Sequence, residues 1–248
     1  MSVTTEARLE GHLLAVGELD GADRDAMFAL MQRHYANVRR EVFERDLDEK
    51  RWVIQVRESG RGTLRGFSTQ TLVSLPSAGR PIRALFSGDT VVDRRFWGDR
   101  ALVQLWGQLA LRLIDRYGGE LYWFLLSKGY RTYRFLPLFF HEFYPRHDRR
   151  SPAELRERLD ALAEAKFGAA YDRERGVLPA GPAQYRLRAG LGEIRHARLA
   201  DPHVRFFAER NPGHPRGDEL CCLAPLAREN FTPAAYRVIG EPLALEVP

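Results

Sequence analysis

The sequence predicts an α/β (α+β) protein, a mixed and mostly antiparallel sheet flanked by helices and followed by a C-terminal extension. Three observations predict it. Strand-like stretches separated by turns succeed one another between residues 52 and 92. An apolar stripe at helical spacing occupies residues 102–114, and a short apolar run follows at 121–127. Residues 88–145 therefore read as strand, turn, helix, strand, helix, a unit suited to holding a ligand at the turn around Gly98.

Taken in order, Leu9 to Glu18 reads as a first strand. Asp20-Gly21 makes a turn in which Asp20 or Asp23 can cap a helix. Met27, Leu30, Met31 and Tyr35 place that helix over 22–37, and a second short helix covers 39–46. Trp52, Ile54 and Val56 alternate with Val53, Gln55 and Arg57 as a strand does. After the turn at 59–62, residues 63–75 return antiparallel. Pro76 to Pro81 turns the chain into a third strand, Ile82 to Val92, interrupted by Ser87-Gly88. A glycine inside a strand marks a bulge or a close approach.

Leu102, Leu105, Trp106, Leu109, Leu113 and Ile114 fall on one side of a helix that ends at Gly118-Gly119. Leu121 to Ser127 reads as a central strand parallel to its predecessor. Lys128-Gly129 breaks it, and Thr132 to Phe143 reads as a second helix, kinked or started by Pro137. Ser151-Pro-Ala-Glu has the form of a helix start running to about Phe167. Residues 168–184 read as a loop, 202–210 as a short helix, Glu219 to Leu226 as a late strand and Tyr236 to Ile239 as another.

A chain of 248 residues can bury a full core, with residues 1–150 as that core and 151–248 as the extension that completes the sheet or covers an acceptor site. No apolar run approaches the roughly 18 residues of a membrane span. The first residues show no secretory pattern, so a cytoplasmic location is the default expectation. The two cysteines, Cys221 and Cys222, are adjacent, which on a strand points them to opposite faces and disfavours a disulfide. They read as small buried residues rather than metal ligands, and no metal site is expected. The formal charge of +5 favours anionic partners. Basic residues are nearly all arginine, with lysine only at 50, 128 and 166. There is no Gly-x-Ser-x-Gly elbow and no P-loop.

The order strand, one or two helices, three antiparallel strands, helix, strand, helix over residues 9–145 resembles the GNAT superfamily of acyl-CoA-dependent acyltransferases. Arg95-Phe96-Trp97-Gly98-Asp99-Arg100 stands where that family has Arg or Gln, two residues, Gly, one residue, then Gly or Ala. Arg95 and Gly98 match, Arg100 departs, and Ala101 comes one place late. The resemblance implies that the pantetheine arm of acyl-CoA, or of an acyl carrier protein, slips between the strands at 88–93 and 121–127. It implies contacts to the donor from Val91, Val92, Arg95, Trp97, Gly98, Arg100 and Ala101. A helix N-terminus with a glycine beside it suits a pyrophosphate, although Asp99 adds an opposing charge.

Transfer from a thioester needs a base for the acceptor and an acid for the leaving thiolate. Asp89, a charge inside an apolar strand, is the candidate base, since burial raises a carboxyl toward a useful pKa. Ser127 at the strand end is a second polar group. Tyr130, Tyr133 and His141 are the candidate acids, with Tyr133 best placed by the resemblance. His141 is also a candidate base.

Residues 130–150 combine aromatic and basic side chains, which suits an acyl-chain tunnel with a basic mouth, a core helix with an arginine-rich end, an anionic membrane surface or stacked bases. No nucleic-acid signature accompanies them, so nucleic acid is not an expected partner. The function expected is transfer of an acyl group, of acetyl length or longer, to an amine or hydroxyl of a small molecule or lipid precursor. The alternatives are a non-catalytic GNAT-like binding module and a peripheral membrane or nucleic-acid binder through 130–150.

Overall fold

The computed structural model describes residues 8–76, 81–181 and 184–240. In chain order the elements are β1 (Leu9–Ala15), α1 (Gly21–His34), β2 (Tyr35–Ala36), α2 (Arg40–Asp48), β3 (Trp52–Glu58), β4 (Leu64–Leu75), β5 (Ile82–Val92), α3 (Ala101–Tyr117) and β6 (Leu121–Ser127). There follow α4 (Tyr130–Tyr133), α5 (Phe135–Phe139), α6 (Ala153–Phe167), β7 (Val177–Leu178), β8 (Arg186–Leu187), α7 (Pro202–Arg210), β9 (Glu219–Pro225) and α8 (Pro233–Ile239). Seven strands form one sheet in the order β1-β3-β4-β5-β6-β9-β7, and β2 pairs with β8 in a separate ribbon. Every neighbouring pair in the large sheet is antiparallel except β5–β6. The sheet is thus mixed and mostly antiparallel, with helices on both faces, the fold class that the sequence predicts.

Strand alternation decides which residues meet which helix. Trp52, Ile54, Leu85, Trp123, Leu125 and Cys222 face the layer of α3, where Leu105, Trp106, Leu109 and Leu113 are buried. Their neighbours point the other way. Val53, Phe67 and Val91 meet Met27, Leu30, Met31, Phe43 and Leu47 of α1 and α2. Ala84, Phe86, Phe124, Cys221 and Leu223 meet Leu155, Leu159 and Leu162 of α6. The two cysteines are buried, free and on opposite faces.

Several sequence expectations change. Helix α1 stops at His34, because Tyr35 and Ala36 pair with Leu187 and Arg186 and Asn37 takes a left-handed φ of 64°. The helix expected over 132–143 is two short pieces, α4 and α5. Pro137 has no N–H to give the Tyr133 carbonyl, so a continuous ladder cannot cross it. Ser151 does not cap α6; its hydroxyl donates to the Phe143 carbonyl at 3.1 Å and the helix begins at Ala153. The loop at 168–184 contains β7, which pairs with β9. Tyr236 to Ile239 is not a strand but the end of α8, started by Thr232, whose hydroxyl accepts from the Ala235 N–H. Most of the turn expected at 76–81 lies outside the described residues. Among the described residues no helix is long and apolar enough to cross a membrane.

Candidate active site

The sheet opens where β5 leaves β6. Their last parallel pair is Ser87 with Leu125; beyond it β5 follows β4, while Leu126 and Ser127 pair with β9. A bulge causes the divergence. Ser68 pairs with Thr90 and Gln70 with Ser87, so Gly88 and Asp89 together oppose Thr69. Glycine leaves room there for its neighbours, because a Cβ at 88 would stand 2.6 Å from the Thr69 hydroxyl and 2.7 Å from Cε of Lys50 and would push them aside. Past the bulge, the outward backbone groups of Gly88 to Val92 lose β6 as a hydrogen-bonding partner. They form one wall of a cavity of about 750 Å³ whose far wall includes Leu126, Lys128 and Tyr130.

The bulge turns Asp89 into this cavity. Its Oδ1 accepts a hydrogen bond from the Tyr185 hydroxyl. Burial, reinforced by the carboxylate of Asp46, lifts the Asp89 carboxyl up to about 6, against the opposing pull of Lys128, the Tyr185 hydrogen bond and Lys50. Lys128 Nζ lies 3.0 Å from Glu219 Oε1 and 3.8 Å from the centre of the Tyr185 ring. Lys50, almost wholly buried, holds Asp46 Oδ1 at 2.7 Å. Lys166 stands 4.6 Å from the centre of the Phe86 ring and 3.7 Å from Glu49. Two of the three lysines in this arginine-rich chain, Lys128 and Lys166, therefore line the cavity, and Lys50 packs behind its wall at Gly88. Each is a compact charge that fits a tighter space than a guanidinium.

One end of the cavity is aromatic. Trp106 of α3 and Trp123 of β6 lie 4.4 Å apart, with Phe139 and Phe135 completing the lining. Trp123 donates its indole N–H to the Ser87 hydroxyl at 2.9 Å, while that of Trp106 is buried with no partner. The mouth at this end is Trp97, two-fifths exposed, with the guanidinium carbons of Arg131 and Arg94 at 4.2 and 5.8 Å from its ring centre.

Between β5 and α3 the chain passes through Gly98 at φ +104°, a left-handed conformation that glycine adopts without strain, with open space where a Cβ would stand. The first turn of α3 points the N–H groups of Leu102 and Val103 out of the helix, where no intrahelical carbonyl reaches them. The Ala101 N–H is already taken by Asp99 Oδ1 at 2.8 Å. Arg95 is tied by two contacts to Asp93, which that guanidinium holds down at about 2.

The structure brings Asp89, Val91, Val92, Trp97 and Gly98 together on the cavity, with Tyr130 also on its lining. It leaves Arg95, Arg100 and Ala101 beside it. Three expected catalytic groups are elsewhere. Tyr133 is fully buried and donates its hydroxyl to the Pro145 carbonyl at 2.9 Å, because the break before Pro137 turns its ring against Phe206 and Phe207. Ser127 is buried and donates to the Gly129 carbonyl at 3.0 Å. His141 is exposed beside Arg228 and Phe231, on a different surface. The rings of Tyr130, Tyr133, Phe139, Phe140 and Phe143 are all buried, and Arg146 and Arg149 are paired with Asp148 and Glu142. The 130–150 segment therefore presents few rings for bases or lipid.

Sequence reasoning missed Tyr185, Lys128, Glu219 and Trp123. The rarity of lysine was the one local signal pointing at Lys128.

No protein-family model matches the chain, and no curated protein matches it. Among solved structures it is similar to an Enterococcus faecalis conserved protein described as a probable N-acyltransferase, at 15% identity over 56% of this chain and 33% of that one, with a TM-score of 0.40. It spans only a third of that protein's length. It is also similar to a Trypanosoma brucei acetyltransferase, at 16% identity over 58% of this chain and 98% of that one, TM-score 0.39. An Escherichia coli GNAT-family N-acetyltransferase in complex with CoA overlaps at 17% identity over 53% of this chain and 70% of that one, TM-score 0.38. Overlaps of this extent assign neither a family nor an activity to the chain.

Proposed function

We propose that the protein transfers an acyl group, of acetyl length or longer, from acyl-CoA or an acyl carrier protein to an amine or hydroxyl of a small molecule or lipid precursor. The observation that carries this reading is the parting of β5 from β6 after Ser87, which sets the Asp89 carboxyl between a polar recess and an aromatic chamber. An acyl thioester fits these residues. Strand β5 offers the backbone of Thr90, turned away from β4, to a pantetheine arm, the Val92 carbonyl being already taken by the Trp97 indole at 3.0 Å. Leu102 and Val103 offer helix-terminal N–H groups to a phosphate, and Trp106 offers an unpaired indole N–H. A bound thioester supplies the activated acyl group and its thiolate leaving group.

Asp89 sits where it can take a proton from the acceptor as the acceptor attacks. Its raised pKa leaves it ionised near neutral pH yet basic enough to accept that proton. Trp106, Trp123, Phe135 and Phe139 shield the acyl chain from water and set its length. The segment carrying Tyr185 closes the site from the C-terminal side, which gives the extension the role of acceptor-site cover.

A second reading, a non-catalytic binding module, is favoured by one contact: Asp99 occupies the Ala101 N–H that a phosphate would otherwise use. Titration calorimetry with CoA and with acyl-CoAs of increasing length separates the two readings. The transferase reading expects micromolar binding that strengthens with chain length. Absence of binding by every member of the series, and by a phosphopantetheinylated carrier, would defeat it.

A further inference from the structure

We propose that Asp89 and Tyr185 form a single proton relay, in which the proton that Asp89 takes from the acceptor returns, through the Tyr185 hydroxyl, to the departing thiolate. This rests on the acyl-transfer reading above and adds to it the group that serves the leaving sulfur.

Tyr185 comes from the C-terminal extension, 96 positions from Asp89 in sequence, yet its hydroxyl meets the Asp89 carboxylate directly. The segment that bears it is tied down on its C-terminal side. Strand β8, immediately after it, pairs with β2, and Arg188 binds the carbonyls of His34 and Gln32, each at 2.9 Å. Arg131 holds the Leu191 carbonyl at 2.8 Å. The ring is fixed as well. Tyr35 meets it edge-on at 5.2 Å, and Lys128 stands 3.8 Å from its centre, held by Glu219. Both Asp89 and Tyr185 line the cavity. With Tyr133 bonded to the Pro145 carbonyl, Tyr185 is the cavity phenol that touches the candidate base.

The balance closes without outside help. As the acceptor attacks, a C–N (or C–O) bond forms and the C–S bond breaks. The acceptor gives one proton to Asp89, and the thiolate takes the Tyr185 proton. To reach the thiolate the Tyr185 hydroxyl turns out of its bond to Asp89. The protonated Asp89 carboxyl then donates to the phenolate in the reverse sense and passes its proton across, restoring both side chains. One proton has moved from acceptor to sulfur. The Lys128 ammonium stands over the face of the Tyr185 ring. Burial and the carboxylates of Asp89, Glu219 and Asp46 hold the Tyr185 hydroxyl well above its ordinary pKa, and protonation of Asp89 by the acceptor removes the charge that touches it.

Tyr185→Phe tests this, since it keeps the ring against Tyr35 and Lys128 and removes only the hydroxyl. Two donors are compared: an acyl-CoA, whose alkyl thiolate needs a proton, and the matching 4-nitrothiophenyl ester, whose thiolate leaves without one. On acyl-CoA, Y185F should lose about 10²-fold or more in turnover; on the aryl thioester it should run close to wild type. D89N should be slow on both. The acid limb of kcat/KM in Y185F should move to higher pH, because Asp89 loses a hydrogen bond to its ionised form while Asp46, Glu219, Lys128 and Lys50 still face it.

Equal loss on both donors by a variant that melts like wild type, or no loss on acyl-CoA, overturns the relay. If Y185F melts early, 3-fluorotyrosine at position 185 replaces it. This residue has nearly the same shape and a lower pKa. The relay then expects the basic limb at lower pH, and an unmoved limb overturns it. Wild-type protein that releases thiol from neither donor, with any acceptor offered, instead overturns the acyl-transfer reading itself.

Discussion

Ser87 is the last residue of β5 to pair with β6, opposite Leu125, and one residue later the bulge at Gly88 and Asp89 directs a carboxyl into the gap. A charge placed in a sheet interior costs stability unless something uses it, and its pKa states that cost. The Asp89 carboxyl titrates near 6, above the usual carboxylate value, so the native state binds the extra proton. This contribution to stability is present at low pH and is lost as pH rises from about 4 to about 6. Asp89→Asn should therefore melt no lower than wild type at pH 8, and higher if the charge is the dominant cost. The same substitution should reduce turnover about 10²- to 10⁴-fold. Wild-type kcat/KM should fall on the acid side of about pH 6, where Asp89 holds a proton and cannot accept another. Thermal melts and pH–rate profiles check both.

Lys128 pulls the Asp89 pKa down and is itself paired with Glu219 in surroundings that leave both nearly buried. Lys128→Met should move the acid limb to higher pH. It should also destabilise the fold by about 3–5 kcal/mol, the cost of leaving the Glu219 charge buried without its partner. Denaturant unfolding of K128M and of the double variant K128M/E219L separates the two effects. The double variant should recover much of the stability.

The loop before α3 makes opposite predictions at adjacent positions. Asp99→Ala removes a negative charge and frees the Ala101 N–H, so a phosphorylated donor should bind roughly two- to fivefold more tightly. Gly98→Val places a β-branched side chain at φ +104°, which it cannot adopt without strain. The loop must move, and donor affinity should be lost. Calorimetric titration of both variants with CoA reads the two signs.

Trp106 and Trp123 bound the aromatic end of the cavity at 4.4 Å from one another. Trp106→Leu should shift the preferred acyl chain to greater length, as the chamber deepens by the volume removed. Competition between acyl-CoAs of different length, followed by product mass, measures the shift.

Much of the fold was legible because its signals are local. The alternation at Trp52 to Arg57, the stripe from Leu102 to Ile114 and the glycine interrupting an apolar strand at 88 each act within one element. Asp89 stood out as a charge among apolar neighbours. The groups around it were not legible, because sheet topology brings them in from afar. Glu219 arrives on β9 beside β6, and Tyr185 arrives on a segment pinned by the β2–β8 ribbon. Tyr133 misled for the converse reason. Position along the chain placed it near the site, while the helix break before Pro137 turned its hydroxyl to Pro145.

The most direct test of acyl transfer at Asp89 is thiol release from a series of acyl-CoAs incubated with the protein and a panel of primary amines and alcohols, with product masses recorded. Wild type and Tyr133→Phe should both release thiol and yield an acylated acceptor, while Asp89→Asn should release it at least about a hundredfold more slowly. Release by Asp89→Asn at the wild-type rate, or no release by wild type with any donor and acceptor, would contradict the account.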